Sequence, residues 1–492
     1  MRVNVIGAGL AGSEATYFLA KKGVKVRLFE MRAMVSHFTY GVADLSGVDE
    51  ETGTGSVRNV SHTRAMKSHF TSGVDEKTGT GSVRNAKHTM NTTEAHKTDK
   101  FAELVCSNTL GSFEITTGAG LLKKEMELLD SLIIKAAKHS YVKAGSALAV
   151  DRNEFSDFIT NIIKSHPDIE IINEEVKTLN EDELNIVATG PLTSDQFSTY
   201  LRTLIKDEYL YFYDAIAPIV EASSVDFTKG FWGSRYDKGD DYFNCTMSKK
   251  EYDVFYNELL KAQKVSTKDF ERVVHFEGCL PVEEIASRGY QTLVYGPMSP
   301  KGLKHHISKD VYAIVQLRKE TKEGDALSLV GFQTKLTYKE QIRVFRLIPC
   351  LKNAVFSRLG SMHRNTFLQS NKLLKPTLEL ISNPNIIFAG QITGVEGYSA
   401  SAATGIMAGI NAWKKLLGED PTTPPKTTML GALLHYISSK EGELQPMNPV
   451  FGLLPDIDAS KTYKKLLKAH RALFDMARFI AQHNITKQHN AV

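Results

Sequence analysis

The chain has 492 residues, enough for two or three domains with substantial cores. Hydrophobic residues make up 42% and charged residues 24%, the balance of a soluble globular protein, and no apolar run approaches transmembrane length. The start of the chain lacks the charged and apolar regions of a secretory signal, so a cytoplasmic location is expected and no membrane partner. A formal charge of +4 permits a nucleic-acid partner without demanding one. The four cysteines (Cys106, Cys245, Cys279, Cys350) are scattered and form no C-x-x-C pair. Neither a disulfide framework nor a metal site is expected from them.

The first element is an apolar strand, Val3-Asn4-Val5-Ile6, followed by Gly7-Ala8-Gly9-Leu10-Ala11-Gly12. A helical pattern then runs to Gly23, and a second strand from Val24 to Phe29 delivers Glu30. The first two glycines suit a tight turn in which backbone N–H groups approach a pyrophosphate. The third allows close helix–strand packing, and the helix start offers its positive end to the phosphates. Glu30 is placed to accept hydrogen bonds from a ribose hydroxyl. A lone G-x-G-x-x-G says little; strand, glycines, helix, strand and acid in that order predict a bound dinucleotide.

Residues 36–97 break this pattern. Ser46 to Asn59 returns 26 residues later as Ser72 to Asn85, with only Glu51 changed, to Lys77. Two polar repeats cannot build a solenoid core, so a mobile duplicated surface insertion is expected. Its seven Lys/Arg are matched by seven Asp/Glu, and its histidines (His37, His62, His69, His88, His96) lack tight ligand spacing.

Ordered structure is expected to resume at Thr98 to Cys106, with a long amphipathic helix from about Leu121 through Lys138. Strands are expected at Ala147 to Asp151, Glu170 to Ile172, and Asn185 to Val187. From about 198 to 330 the pattern changes to strands such as Tyr209 to Asp214 and Tyr312 to Leu317 among many turns. Asn385 to Phe388, Gly390-Gln391-Ile392-Thr393-Gly394-Val395-Glu396-Gly397-Tyr398 and the small-residue helix Ala400 to Ala412 then repeat the strand, turn and helix theme. Small side chains there suit close packing against a flat ring, which places the isoalloxazine end of FAD at this second turn. The expected class is α/β: a Rossmann-like FAD-binding domain in two parts, 1–197 and 331–492, around an inserted mixed α/β domain at 198–330.

Several strings resemble one family, the folate- and FAD-dependent tRNA (uracil-5-)-methyltransferases. They are Gly7 to Glu30, Thr98 to Asn108, Gly145 to Arg152, Tyr211 to Ala215, Ser234 to Gly239, Phe276 to Pro281, Val330 to Thr334, Met362 to Phe367, Gly390 to Tyr398 and Gln445 to Asn448. The resemblance covers nearly the whole chain outside 36–97. It implies FAD held by Gly7, Ala8, Gly9, Leu10, Ala11, Gly12, Glu30, Gly390, Gln391, Gly394, Gly397 and Tyr398. It also implies methylenetetrahydrofolate as carbon donor and NAD(P)H as reductant. In such chemistry a thiolate adds to uracil C6, C5 takes up the carbon unit, a base removes the C5 proton, and reduced FAD supplies a hydride. By position in the motifs, Cys279 corresponds to the nucleophile and Cys106 to the base.

Taken apart from the resemblance, each cysteine is equally readable as a small buried hydrophobe, the reading kept for Cys245 and Cys350. His363 and Arg364 suit either a satisfied turn or a folate or flavin contact. Lys461, Lys464, Lys465 and Lys468 form a stripe fit for RNA phosphates or merely a solvated face. In one place the chain departs from the family: after Cys106 it reads Ser107-Asn108-Thr109-Leu110-Gly111 and then Thr116-Thr117-Gly118-Ala119-Gly120, losing a cation and gaining glycines expected to loosen the loop. The T-loop uridine of tRNA is the expected substrate, ahead of a uridine of large-subunit ribosomal RNA. No obligate protein partner is inferred. Two other readings are a flavoprotein that modifies wobble uridines with a partner, and a non-catalytic RNA-binding flavoprotein.

Overall fold

The computed structural model describes residues 2–39, 85–91, 95–206, 210–215, 217–265, 280–303, 307, 310–360, 362–442 and 444–486; of 33–39, 85–91, 210–215 and 362–366 it describes the backbone alone. The chain forms two compact units, one of residues 1–30 with 100–492 and one of 31–99. In the smaller unit Ala33–Thr39 and Asn85–Asn91 pair as an antiparallel ribbon. The sequence repeat between them, Asn85 apart, lies outside the described residues.

In the larger unit a five-stranded parallel sheet has the order Ile386–Phe388, Asn185–Val187, Arg2–Ile6, Lys25–Phe29, Ile169–Ile172. Val3, Val5, Ile186 and Ile387 are completely buried, as expected of parallel strands covered on both faces. One covering layer is the helix Leu10–Lys21, on which the helix Tyr398–Leu416 lies. A Cβ at Gly405 would stand 2.1 Å from the Ala11 carbonyl oxygen, and one at Gly409 would stand 3.2 Å from Ala15. Small residues on both helices therefore let the backbones touch. Packing between helices, rather than against a flavin ring, accounts for Gly405 and Gly409.

The single helix expected from Leu121 through Lys138 is two, Gly118–Leu128 and Leu132–His139. The break falls at Asp130, whose φ is +63°, and at Ser131, whose hydroxyl accepts from the Ile134 N–H and caps the second helix. Apolar periodicity continues through the junction, so the capping residue was the only warning.

Two buried glutamates act as remote caps. Glu14 accepts the N–H groups of Leu132 and Ile133 at 3.0 Å each, and Glu125 accepts those of Met429 and Leu430 at 2.7 and 2.9 Å. Burial outweighs these bonds and pushes Glu14 up to about 7 and Glu125 up to about 8. A carboxyl raised on folding contributes stability that is complete below its unfolded value, 4.5, and is lost as pH rises through its folded value. The advantage of wild type over Glu125→Gln should shrink by on the order of 3–5 kcal/mol between pH 5 and 8 in urea titrations. A difference independent of pH would mean that the carboxyl is charged throughout.

A six-stranded antiparallel sheet has the order Gly230–Trp232, Tyr242–Met247, Ala313–Lys319, Ala326–Leu329, Ile219–Glu221, Phe356–Arg358. Leu210–Ala215 and Met362–Phe367 pair as the ribbon at its two ends in the chain. Within this sheet's core, Cys245 and Cys350 form a disulfide across 105 residues of sequence, both fully buried. That corrects the expectation of no disulfide: widely separated cysteines hide a pairing that only the fold makes close. Closing so long a loop should be worth about 3–5 kcal/mol, so Cys245→Ala should lower Tm by several degrees. Titration of the unfolded chain without reductant should then find two free thiols in the wild type; four would disprove the bridge.

Candidate functional site

The glycine turn follows the strand Arg2–Ile6 directly. Gly7 has φ +98°, and a Cβ there would come within 2.7 Å of the Ala188 carbonyl oxygen. At Gly12 a Cβ would be 1.8 Å from the Gly7 carbonyl oxygen, which is the close helix–strand approach the motif predicts. Gly9 is the N-cap of the helix and has nothing within 4 Å of its Cβ position. Open space in front of a helix start is what a pyrophosphate needs, and the residues present fit FAD. Glu30 is buried at the end of the next strand, and one of its oxygens accepts the Ala8 N–H at 2.9 Å. Its carboxylate thus stands at the glycine turn.

Strands Asn185–Val187 and Ile386–Phe388 end in turns of their own, with Gly190 and Gly390 at φ +68° and +86°. All three turns stand at the carboxyl ends of parallel strands, where open α/β sheets bind their ligands. A Cβ at Gly390 would lie 3.1 Å from that of Ala11, so the first and last turns meet. Gln391 bonds Glu396 across the turn at 2.9 Å. The turn is tied to the Gln445 to Asn448 string through Met447, whose N–H donates to the Gly394 carbonyl and whose carbonyl accepts the Glu396 N–H. Gly397, at φ +94°, caps the helix that Tyr398 opens.

Tyr398 links this turn to Cys106. Its hydroxyl accepts the N–H groups of Cys106 at 2.7 Å and Ser107 at 3.2 Å. Burial, then the nearby Cys106, hold that hydroxyl above its usual range, so it remains a neutral phenol. Ala102 donates to the Ala8 carbonyl at 2.9 Å, tying the same segment to the first glycine turn. Cys106 is half-buried and unbridged.

Two arginines that the sequence did not single out stand beside it. Arg152 donates to the carbonyls of Leu104 and, at 3.4 Å, Cys106, and pairs with Glu320 at 2.7 Å. Arg358 donates to the Val105 carbonyl at 2.7 Å. Asn108, fully buried, donates to the carbonyls of Val150 and Lys319, fastening the segment to the antiparallel sheet. Arg152 lay inside a family string, but nothing in the sequence pointed Arg358 at Cys106.

The loop that departs from the family is firm. Gly111 adopts φ +79°, and Gly118 and Gly120 begin a helix capped by Thr117. Cβ atoms at the latter two would stand 2.0 Å from the carbonyl oxygens of Pro449 and Glu114. These glycines permit close approach and do not loosen the chain. A buried lysine lies under the loop: Lys123 bonds the Leu110 carbonyl at 2.7 Å, and burial presses it down to about 7, so it is only partly charged at neutral pH. Of the lysine stripe, Lys464 and Lys468 share one carboxylate, Asp456, at 2.7 and 3.2 Å, which offsets one of its four positive charges. Cys279 and the side chains of His363 and Arg364 lie outside the described residues.

Three glycine turns on a parallel sheet, an acid hydrogen-bonded to the first of them and an antiparallel sheet between the second and third define a Rossmann-type FAD-binding flavoprotein. Among solved structures, Aquifex aeolicus GidA in its form II crystal has the same fold: TM-score 0.65 at 15% identity, covering 99% of this chain and 74% of that one. The family model described as glucose inhibited division protein A matches residues 2–420. A protein of Hydrogenobaculum sp. (strain Y04AAS1) is 79% identical over 485 residues, covering 99% of this chain and all of its own. One of Aquifex aeolicus (strain VF5) is 56% identical over 492 residues, covering 99% of this chain and 98% of its own. Both are named methylenetetrahydrofolate--tRNA-(uracil-5-)-methyltransferase TrmFO. The chain belongs to the GidA family and, within it, to the folate- and FAD-dependent tRNA (uracil-5-)-methyltransferases. Among the described residues no helix is long and apolar enough to cross a membrane.

Proposed function

We propose that this protein forms 5-methyluridine in the T-loop of tRNA, taking the carbon from methylenetetrahydrofolate. The observation that carries this reading is Cys106, an unbridged thiol fixed between the first glycine turn and Tyr398 at the start of the second helix. FAD, when bound, supplies reducing equivalents drawn from NAD(P)H. Gly7, Ala8, Gly9, Leu10, Ala11, Gly12 and Glu30 would hold its dinucleotide part, and Gly390, Gln391, Gly394, Gly397 and Tyr398 the ring end.

The thiolate of Cys279 adds to C6 of the flipped uridine, turning the ring into an enolate whose C5 is nucleophilic. Once C5 carries the new carbon, Cys106 takes the C5 proton: an S–H bond forms, the C5–H bond breaks, and its electron pair stays on the ring. The inserted domain would run to about residue 360, because the sixth strand of its sheet, Phe356–Arg358, lies past 330. A tRNA substrate puts the enzyme in the cytoplasm.

The test offers purified protein labelled methylenetetrahydrofolate with tRNA or ribosomal RNA in separate reactions. Label in tRNA at the T-loop uridine is the expected result. Label in ribosomal RNA alone would keep the chemistry and reverse the substrate, and label in neither would favour a non-catalytic RNA-binding flavoprotein.

A further inference from the structure

Residues 104–107 form neither helix nor strand, so their backbone groups need other partners. Side chains from three separate elements supply them. Arg152, first residue of the helix Arg152–Ser165, bonds the carbonyls of Leu104 and Cys106. Arg358, last residue of the strand Phe356–Arg358, bonds the carbonyl of Val105. Tyr398 accepts both N–H groups of Cys106 and Ser107. The thiol is thereby fixed on a rigid backbone among charged neighbours.

Among the described residues the charges around it do not balance. The described charged or titratable groups that interact with Cys106 are Arg152, Arg358 and Tyr398. Glu320 answers the charge of Arg152 at 2.7 Å, and Tyr398 is a neutral phenol. Arg358 has no carboxylate in ion-pairing reach among the described residues. Burial, and then repulsion from Arg152, work against its charge, while Tyr398, Cys106 and the more distant Glu320 favour it. A guanidinium kept in such a place is stabilised by an anion, and the thiol beside it can become one.

We propose that Arg358 is the counter-charge of a Cys106 thiolate, a positioning residue that keeps the thiol deprotonated and ready to receive a proton. The proposal rests on the reading of Cys106 as base. A thiol that still carries its proton cannot take another from C5, so a group that holds the thiolate sets the fraction of enzyme able to finish the reaction.

The test is alkylation by iodoacetamide of the FAD-loaded full chain from pH 5.5 to 9.5, with modification at the Cys106 peptide followed by mass spectrometry. Only the thiolate reacts, so the profile reports its protonation without RNA or folate. Wild type should keep most of its high-pH rate at pH 6.5. Arg358→Gln should react about tenfold more slowly at pH 6.5 and at an unchanged rate at pH 9.5, and Arg358→Lys should recover most of the loss. A wild-type profile with the midpoint of an ordinary thiol, near 8.5, would overturn the proposal without any variant, should Arg358→Gln fail to keep its flavin. So would superimposable profiles for wild type and Arg358→Gln. Failure of RNA methylation in the labelled-folate assay would instead count against the proposed function, since the alkylation profile does not depend on it.

Discussion

Cys279→Ala is expected to abolish both methylation and the covalent adduct with RNA carrying 5-fluorouridine, whereas Cys106→Ala should abolish methylation and still trap that RNA. The two roles separate at the proton. Addition of a thiolate to C6 comes first, and without it uracil C5 is too weak a nucleophile to accept the carbon unit. Fluorine at C5 leaves no proton to remove, so the reaction stops with the C6–S bond in place. A missing nucleophile therefore costs the adduct, and a missing base does not. Magnitudes should rank the same way. Loss of a covalent nucleophile costs roughly 10⁴-fold or more in kcat, and loss of a general base roughly 10²- to 10⁴-fold. Trapping on a denaturing gel, beside a labelled-methyl assay, reads both. An adduct formed by the Cys279 variant but not by the Cys106 variant would exchange the roles.

The distribution of what could be read in advance follows from the range of the interactions. The parallel sheet was legible because each strand is a short apolar run followed by its own turn, and Gly12 is required by a contact only five residues away, with Gly7. The contacts of Gly7 with Ala188 and of Gly390 with Ala11 span most of the chain and were legible only through the motif. That Glu30 stands beside the first glycine turn was legible from its spacing. The pair Cys245 and Cys350 was not, since 105 residues separate them. Nor was Arg358, which reaches a carbonyl 253 residues earlier in the chain. The helix break at Asp130 was missed because the apolar stripe runs on through it while Ser131 starts a new cap. Gly118 and Gly120 were misread for a related reason. A glycine that permits close packing and one that permits motion have the same letter, and only the neighbouring carbonyls of Pro449 and Glu114 tell them apart.

That distinction gives the second large effect. Gly9→Val and Gly12→Val should fail in opposite ways, although both alter the same six-residue turn. At Gly12 the new Cβ would fall 1.8 Å from the Gly7 carbonyl oxygen, a backbone atom that cannot step aside without moving the first strand or the helix. Overpacking of that kind costs more than about 3 kcal/mol, enough to lower Tm and soluble yield whether or not flavin is present. At Gly9 no protein atom lies within 4 Å of the new Cβ, so the apoprotein should fold as well as the wild-type apoprotein. What the side chain fills is the space in front of the helix start, where the pyrophosphate of FAD belongs. Gly9→Val should therefore be soluble, colourless and as stable as deflavinated wild type, lacking only the stabilisation that bound ligand adds by mass action. Thermal melts of both variants and of wild type, each with and without added FAD, separate these outcomes. A yellow Gly9→Val protein whose Tm rises with FAD as much as wild type would move the dinucleotide away from this turn.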